Sequence, residues 1–479
     1  MTHRTLSFVS KLTSALCAAL FLLVAASASA QTFSSLVSFD GTNGMFAQAP
    51  LTQALNGDYY GSTYAGGDTE LPNGTLFKIN SAGGFTSVYS FCLPTTCTDG
   101  SLPAAPMILA ADGNLYGTTE YGGVNGGGTA FRLNPATGVP TPFYNFCSVT
   151  RCRDGYVPNG VILAADGNFY GTTGYTDRTQ SQGTIFKLTP AGVLTTLYTF
   201  CAETGCTDGW NPVAGLVQGI DGNLYGTSNN GGGCNAGTVF KITPAGAFTV
   251  LHSFCYSDGV NPSGLLSASS GQLVGTTQSS GANGGGTVFE ITTSGTLTTL
   301  YNFCAISGCA DGSGPSPFAA LIQATDGNFY GTTGAGGSSN DGTIFKMTPA
   351  GALTTLHSFD GSDGAGPVAA LVQATAGNFY GTTNGGGIDG IGTVFAQASG
   401  LGAFVKTAPT IGHVGAHVVI IGNNLVGTTG VMFNGTPATF TVVSPGAIRT
   451  VVPTGATTGS VQVTTTSGTL TSNVSFRVE

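Results

Sequence analysis

A string close to DGNFYGTT returns seven times in this chain, starting at Asn56, Asp112, Asp166, Asp221, Ser270, Asp326 and Ala376. The glycine of each YGT (Gly61, Gly117, Gly171, Gly226, Gly275, Gly331, Gly381) stands 49 to 56 residues from the next. That period belongs to propeller blades and lies well above that of leucine-rich or ankyrin units.

Around Asp326 the unit reads FAALIQAT, NFYGTT, GTIFKM and LTTLHSF, four strand-like segments designated a, b, c and d. They are rich in β-branched and aromatic residues and bounded by Gly, Pro, Asn and Asp. In GTVFKI at Gly237, Thr238, Phe240 and Ile242 fall on one face and Val239 and Lys241 on the other. Apolar residues on both faces suit a sheet held between neighbouring sheets, and such sheets arranged about an axis make a propeller. The a–b turns (DGN) and c–d turns (TPAG) are tight, whereas the b–c and d–a links are long. One side of the disc is therefore trimmed and the other carries variable loops, where binding is expected.

Strand b appears seven times, but d follows only six of the units. The seventh d-like string, FSSLVSF at Phe33, precedes the first a strand and is expected to complete the unit holding Gly381, removing the open edge. The alternative is a linear stack with LGAFVKT supplying a local d strand. The expected fold class is all-β: a seven-bladed propeller of four-stranded blades over residues 31–400, a linker at 401–407, and a small immunoglobulin-like sandwich at 408–479.

Residues 1–30 have Arg4 and Lys11 ahead of an apolar run ending in Ala28-Ser29-Ala30, the pattern of a secretory signal. Its loss takes the formal net charge from −9 to −11, since the segment has two cations and no acid. An acidic chain without basic clusters is a poor nucleic-acid binder. The 77 glycines do not signal disorder, because hydrophobic residues make up 41% of the chain and recur at fixed intervals. A secreted, extracellular or surface-held protein is expected, with the periplasm as alternative and no transmembrane anchor after signal removal.

The units resemble the GloVer (Gloeo/Verruco) repeat of exported bacterial proteins, through the core GNFYGTT…GTVFKITPAG…LTTLYTF over roughly residues 33 to 397. Val274 departs from it, standing where the tyrosine belongs. The resemblance implies a secreted surface-type protein with no assigned chemistry. The tail resembles an IPT/TIG domain through Pro409, Gly412, Gly415, VVIIG to Gly422, Leu425, VMFNG to Gly435, VPTG to Gly455 and VQVTT. Alternating strands between Gly, Pro and Asn turns independently suggest a small sandwich.

Ten cysteines remain after the signal. Eight fall in pairs of one spacing after strand d: Cys92 with Cys97, Cys147 with Cys152, Cys201 with Cys206, and Cys304 with Cys309. Each pair is expected to form a local disulfide, with Cys234 and Cys255 as a fifth. Zinc is the alternative, but each C-x4-C offers only two of the usual four ligands. Asp40, Asp99, Asp154, Asp208, Asp258, Asp311 and Asp363 each precede a glycine in a d–a loop, as turn residues or, alternatively, as calcium ligands. Tyr156 and Trp210, the only tryptophan, share those loops and could stack on a sugar. His252 and His357 occupy the tyrosine slot of strand d, and no nucleophile elbow or P-loop occurs.

A galactose-oxidase-like enzyme is the sharpest catalytic alternative, with histidines too few for its copper; Glu70 and Glu120 fall in b–c loops as isolated carboxylates. The expectation is therefore a non-catalytic protein without a required cofactor, binding glycan or a cell-surface protein through the looped side, with Trp210, Tyr156 and the loop aspartates as ligand residues. A structural spacer is the alternative.

Overall fold

The computed structural model describes residues 32–67, 73–92, 96–176, 182–316 and 320–479. The expected signal peptide and Glu70 lie outside them. Among the described residues no helix is long and apolar enough to cross a membrane.

Each repeat folds as an antiparallel sheet in the order a–b–c–d. In the sixth these are Ile322–Gln323, Phe329–Thr333, Thr343–Met347 and Leu353–Ser358. Strand a is shorter than its apolar string suggests, pairing over two residues in most units. Strand b is buried along its whole length. Its glycine is demanded by packing: a Cβ at Gly331 would come within 2.5 Å of Leu321 Cδ2 and 2.7 Å of Phe345 Cζ. The strand-c phenylalanine thus lies across the one b position without a side chain.

The second threonine of each YGTT bonds the first of GT(V/I)F, as in Thr333 with Thr343 at 2.9 Å, both fully buried. Over that pair sits the glycine of the d–a loop. Gly312 has φ +104°, and a Cβ there would lie 2.6 Å from Thr333. Three repeated residue types are thereby explained by one close approach.

Phe33–Ser38 is the fourth strand of the seventh sheet, beside Thr393–Gln397. It pairs Phe33 with Gln397 and Ser38 with Thr393 and is bulged between Ser35 and Val37. The local pair Leu353–Ser358 with Thr343–Met347 has the same register and bulge. Tyr380 and Val394 of the seventh sheet share a buried cluster with Tyr59, Phe77 and Ile79 of the first. Gln53 Nε2 donates to Thr375 Oγ1 at 3.0 Å across the same boundary.

The strand Lys406–Ala408 begins inside the expected linker. It joins His417–Ile421, Ala447–Val451 and Phe440–Ser444 in one sheet, facing a second built on Gly430–Phe433 and Val461–Thr465. Val405, Ile420, Phe433, Val463 and Phe476 lie in the core between them, so the LGAFVKT segment is claimed by the tail. The tail meets the trimmed side of the repeats. Val419 and Ile421 pack with Ala54 and Leu109, Ser444 Oγ donates to Leu55 O at 3.0 Å, and Arg477 Nη1 to Gly219 O at 2.6 Å.

Gly331→Ala should lower stability by about 1–3 kcal/mol through overpacking, which outweighs the roughly 0.5–1 kcal/mol that alanine gains over glycine in a strand. Gly402→Ala, where a Cβ meets nothing within 4 Å, should be neutral. Denaturant unfolding of both variants checks the pair, and equal stabilities would contradict the packing account.

Candidate functional site

The structure turns the d–a loop aspartates inward. Asp99, Asp154, Asp208 and Asp311 are buried. Asp208 Oδ2 accepts from the Tyr198 hydroxyl at 2.7 Å and the Ala202 N–H at 2.9 Å; Asp311 accepts likewise from Tyr301 and Ala305. Asp99 is held by Tyr89 and Cys92, and Asp154 by Tyr144 and Ser148. In two units histidine replaces the tyrosine: His252 meets Asp258 and His357 meets Asp363, each at 2.7 Å. These carboxylates fasten the loop to strand d rather than facing a ligand. The first loop corrects the sequence alignment. Asn43 precedes the equivalent glycine, and Asp40 corresponds to Asp360. Among the described residues no three His, Cys, Asp or Glu side chains converge on a cation position, so neither calcium in these loops nor a histidine-held copper has a ligand set there.

Trp210 is half-buried: it packs against the cluster of Phe200, Leu216 and Phe240 between the third and fourth sheets, and its backbone pairs with Asn230 just beyond strand b.

The five expected disulfides are formed. Cys92 is bonded to Cys97, Cys147 to Cys152, Cys201 to Cys206 and Cys304 to Cys309, each within its own d–a loop. Cys234 is bonded to Cys255 across 21 residues. Sequence spacing did not foretell the backbone of the four short bridges. Cys97, Cys152, Cys206 and Cys309 all take positive φ, between +48° and +53°, and so do their partners Cys92, Cys147, Cys201 and Cys304. Two left-handed residues reverse the chain within the loop, which sets the aspartate two residues beyond the second cysteine against strand d. The C-x4-C bridges occur in the four longer d–a loops, while the short loops at Asp40 and Asp360 have none.

Tyr156 packs among the rings of Tyr121 and Tyr175. A cavity of about 180 Å³ is lined by strand-a residues of all seven units, among them Pro50, Ile108, Ile162, Val217, Leu265, Ala320 and Ala370. Its lining is mostly aliphatic, with Asn159 as a polar member and, among the described residues, Glu120 as the ionisable one. Glu120 directly follows strand Leu115–Thr119 and is anchored by its N–H to Leu102 O at 3.1 Å. Tyr64, at the same position of the first unit, donates its hydroxyl to Glu120 Oε2 at 3.3 Å. Tyr121 follows Glu120, and its ring meets Tyr156 edge-on with centroids 5.8 Å apart. Tyr156 in turn lies 5.9 Å from Tyr175, placed by the pairing of Tyr156–Leu163 with Phe169–Tyr175. The third unit extends strands a and b further than most others, which is what carries these two rings to the looped side.

Burial pushes the Glu120 carboxyl up to about 7, opposed only by the Tyr64 hydrogen bond. Burial also raises Tyr64, to about 12, with the Glu120 charge adding to it. The Tyr121 and Tyr175 hydroxyls are raised for the same first reason. The group is thus a carboxyl able to hold or release a proton near neutrality, bonded by the Tyr64 hydroxyl, close to Tyr121 and Tyr175, and opening on an apolar cavity.

Sequence reasoning placed Glu120 in a looped-side link but not in a site. The available signal was the position after YGTT, which is Tyr64, Glu120, Gly174, Asn229, Gln278, Gly334 and Asn384 in the seven copies. Its neighbours in strand b repeat almost unchanged while it varies, as a position facing a ligand does in an otherwise structural repeat.

Solved structures of similar fold include a catalytically inactive virginiamycin B lyase from Staphylococcus aureus with quinupristin, at TM-score 0.51 and 13% identity, covering 77% of this chain and 99% of that one. A fungal alcohol oxidase of the AA5 family in complex with copper matches at TM-score 0.53 and 14% identity, covering 94% and 99%. The extracellular domain of a putative hybrid two-component system from B. thetaiotaomicron matches at TM-score 0.51 and 12% identity; the alignment covers 92% of this chain and about half, 54%, of that one. No curated protein matches the sequence. Two of these similar structures are named for reactions, so the fold gives no ground for the expectation of a non-catalytic protein, and that expectation is withdrawn. The model of the Gloeobacter/Verrucomicrobia repeat matches residues 22–176, 157–395 and 306–473, and with sheets that repeat in step with those units the chain belongs to that family.

Proposed function

We propose that the chain is an exported, ring-closed propeller whose looped mouth carries a single-carboxyl acid–base site for a hydroxylated, glycan-type ligand. Closure is supported by Phe33–Ser38 in the fourth-strand position, by the cluster joining first and seventh sheets, and by one cavity lined from all seven units. Residues 31–400 are then the disc and residues 408–479 an IPT/TIG, immunoglobulin-like module. That module sits on the trimmed side and leaves the looped side free. Export rests on the signal pattern of residues 1–30 and agrees with extracellular domains of similar fold.

The observation that carries the chemistry is Glu120 in the cavity wall, 3.3 Å from the Tyr64 hydroxyl and close to Tyr121, whose ring meets Tyr156. Tyrosine rings supply an apolar face for a sugar and hydroxyls for its rim. The Glu120 carboxylate would take a proton from a substrate carbon beside a carbonyl group; the neighbouring carbon–oxygen bond breaks as a carbon–carbon double bond forms, and Glu120, now the acid, returns the proton to the departing oxygen, ending as it began. Among the described residues Glu120 is the one carboxylate that lines the cavity, so the reading rests on a single carboxyl rather than on two facing ones.

Glu120→Gln should lower turnover on whichever member of a polysaccharide and glycoside panel the wild type converts, by roughly 10²–10⁴-fold. Product release followed by mass spectrometry reads this, and unchanged turnover in the variant would overturn the assignment. The wild-type rate should show a limb near pH 7.

The same carboxyl makes stability depend on pH. Its folded pKa of about 7 lies above the ordinary 4.5, so between these values the folded state binds the extra proton. Raising the pH through that window should destabilise the wild type relative to Glu120→Gln, with no difference developing above it. Melting temperatures of both proteins across that range check the sign.

A further inference from the structure

The cavity behind Glu120 is unlike the rim. Ile108, Ile162, Val217 and Leu265 line it, with Asn159 and Glu120 as the polar side chains that reach it among the described residues. At about 180 Å³ it is large enough for more than one water but offers water few polar partners. Apolar cavities of about 150 Å³ stay dry and accept a benzene-sized guest. From this, and resting on the acid–base reading above, we infer that the ligand is amphiphilic. Its hydroxylated part lies on the tyrosine rim, and a compact apolar substituent of about six to eight carbon atoms enters the hub. A plain polysaccharide would leave the hub empty and forgo that burial, worth roughly 25 cal/mol per Å² of apolar surface.

Benzyl alcohol is a suitable probe for the full chain. Two positions allow the hub to be filled from different units. A Cβ at Gly215 meets nothing nearer than Asn159 O at 3.9 Å, so leucine there projects into free space. Ala320 lines the same cavity from the sixth unit. Saturable binding of one benzyl alcohol by the wild type, weakened roughly tenfold or more in both Gly215→Leu and Ala320→Leu, supports the inference. Absence of saturable binding, or unchanged affinity in both variants, overturns it. Xenon-pressurised crystals of the wild type give a readout free of substitutions: a xenon atom among Ile108, Ile162 and Val217 supports the dry hub, and its absence contradicts it. Glu120→Gln separates this from the catalytic reading. A variant that binds benzyl alcohol but has lost turnover supports both; retained turnover defeats the acid–base role while leaving the hub assignment to the probe.

Discussion

A sheet that is apolar on both faces has two surfaces to bury and must have a neighbour on each. In this chain every strand b is buried over its first five residues, and every boundary between consecutive sheets is filled by a mixed cluster from both. The first and last sheets of such a series have one bare face each, and the clustering of Tyr59 and Phe77 with Tyr380 and Val394 covers both at once. The approach is close because strand b has glycine where the strand-c phenylalanine crosses it. Burial of this kind dominates folding energetics, so the ring we propose follows from packing before any loop is considered.

The repeats also act as an internal alignment. Where a DGN turn joins a to b, the aspartate accepts from the strand-b tyrosine, and in two units from the strand-c lysine as well: Asp166 with Tyr170 and Lys187, and Asp326 with Tyr330 and Lys346. The fifth unit has Ser270, Val274 and Glu290 in these places, and the seventh has Ala376 and Ala396. Partners disappear together, which marks the trimmed side as structural; there the tail attaches. On the looped side the variation is of another sort. The position after strand b ranges from glycine to tyrosine and glutamate while its backbone keeps one hydrogen bond, from Tyr64 N to Phe46 O and from Glu120 N to Leu102 O. A constant frame with changed side chains is how one repeat acquires a site without disturbing the sheets.

Strands b, c and d were legible because they carry both period and turn chemistry, and the disulfides because C-x4-C recurs at one place in the unit. Strand a was overestimated, since an apolar string shows burial but not how far the ladder runs. The loop aspartates were legible as turn residues but their partners on strand d were not, and a lone loop aromatic such as Trp210 reads equally as a ligand platform or an anchor. Only the fold shows Tyr198 and Ala202 donating to Asp208. The Glu120 site was illegible for a different reason. It joins the first, second and third units, and residues 56 apart in the chain, such as Tyr64 and Glu120, meet only once the sheets are side by side.

The central claim is that the first strand closes the ring, and hydrogen exchange tests it directly. In the full chain the amides of Thr393–Gln397 should be among the slow ones, and removing residues 32–39 should speed their exchange and that of the contacts around Tyr59 and Tyr380. Protection of Thr393–Gln397 that is indifferent to the loss of Phe33–Ser38 would mean the edge is covered by something else, and the closed ring would be wrong.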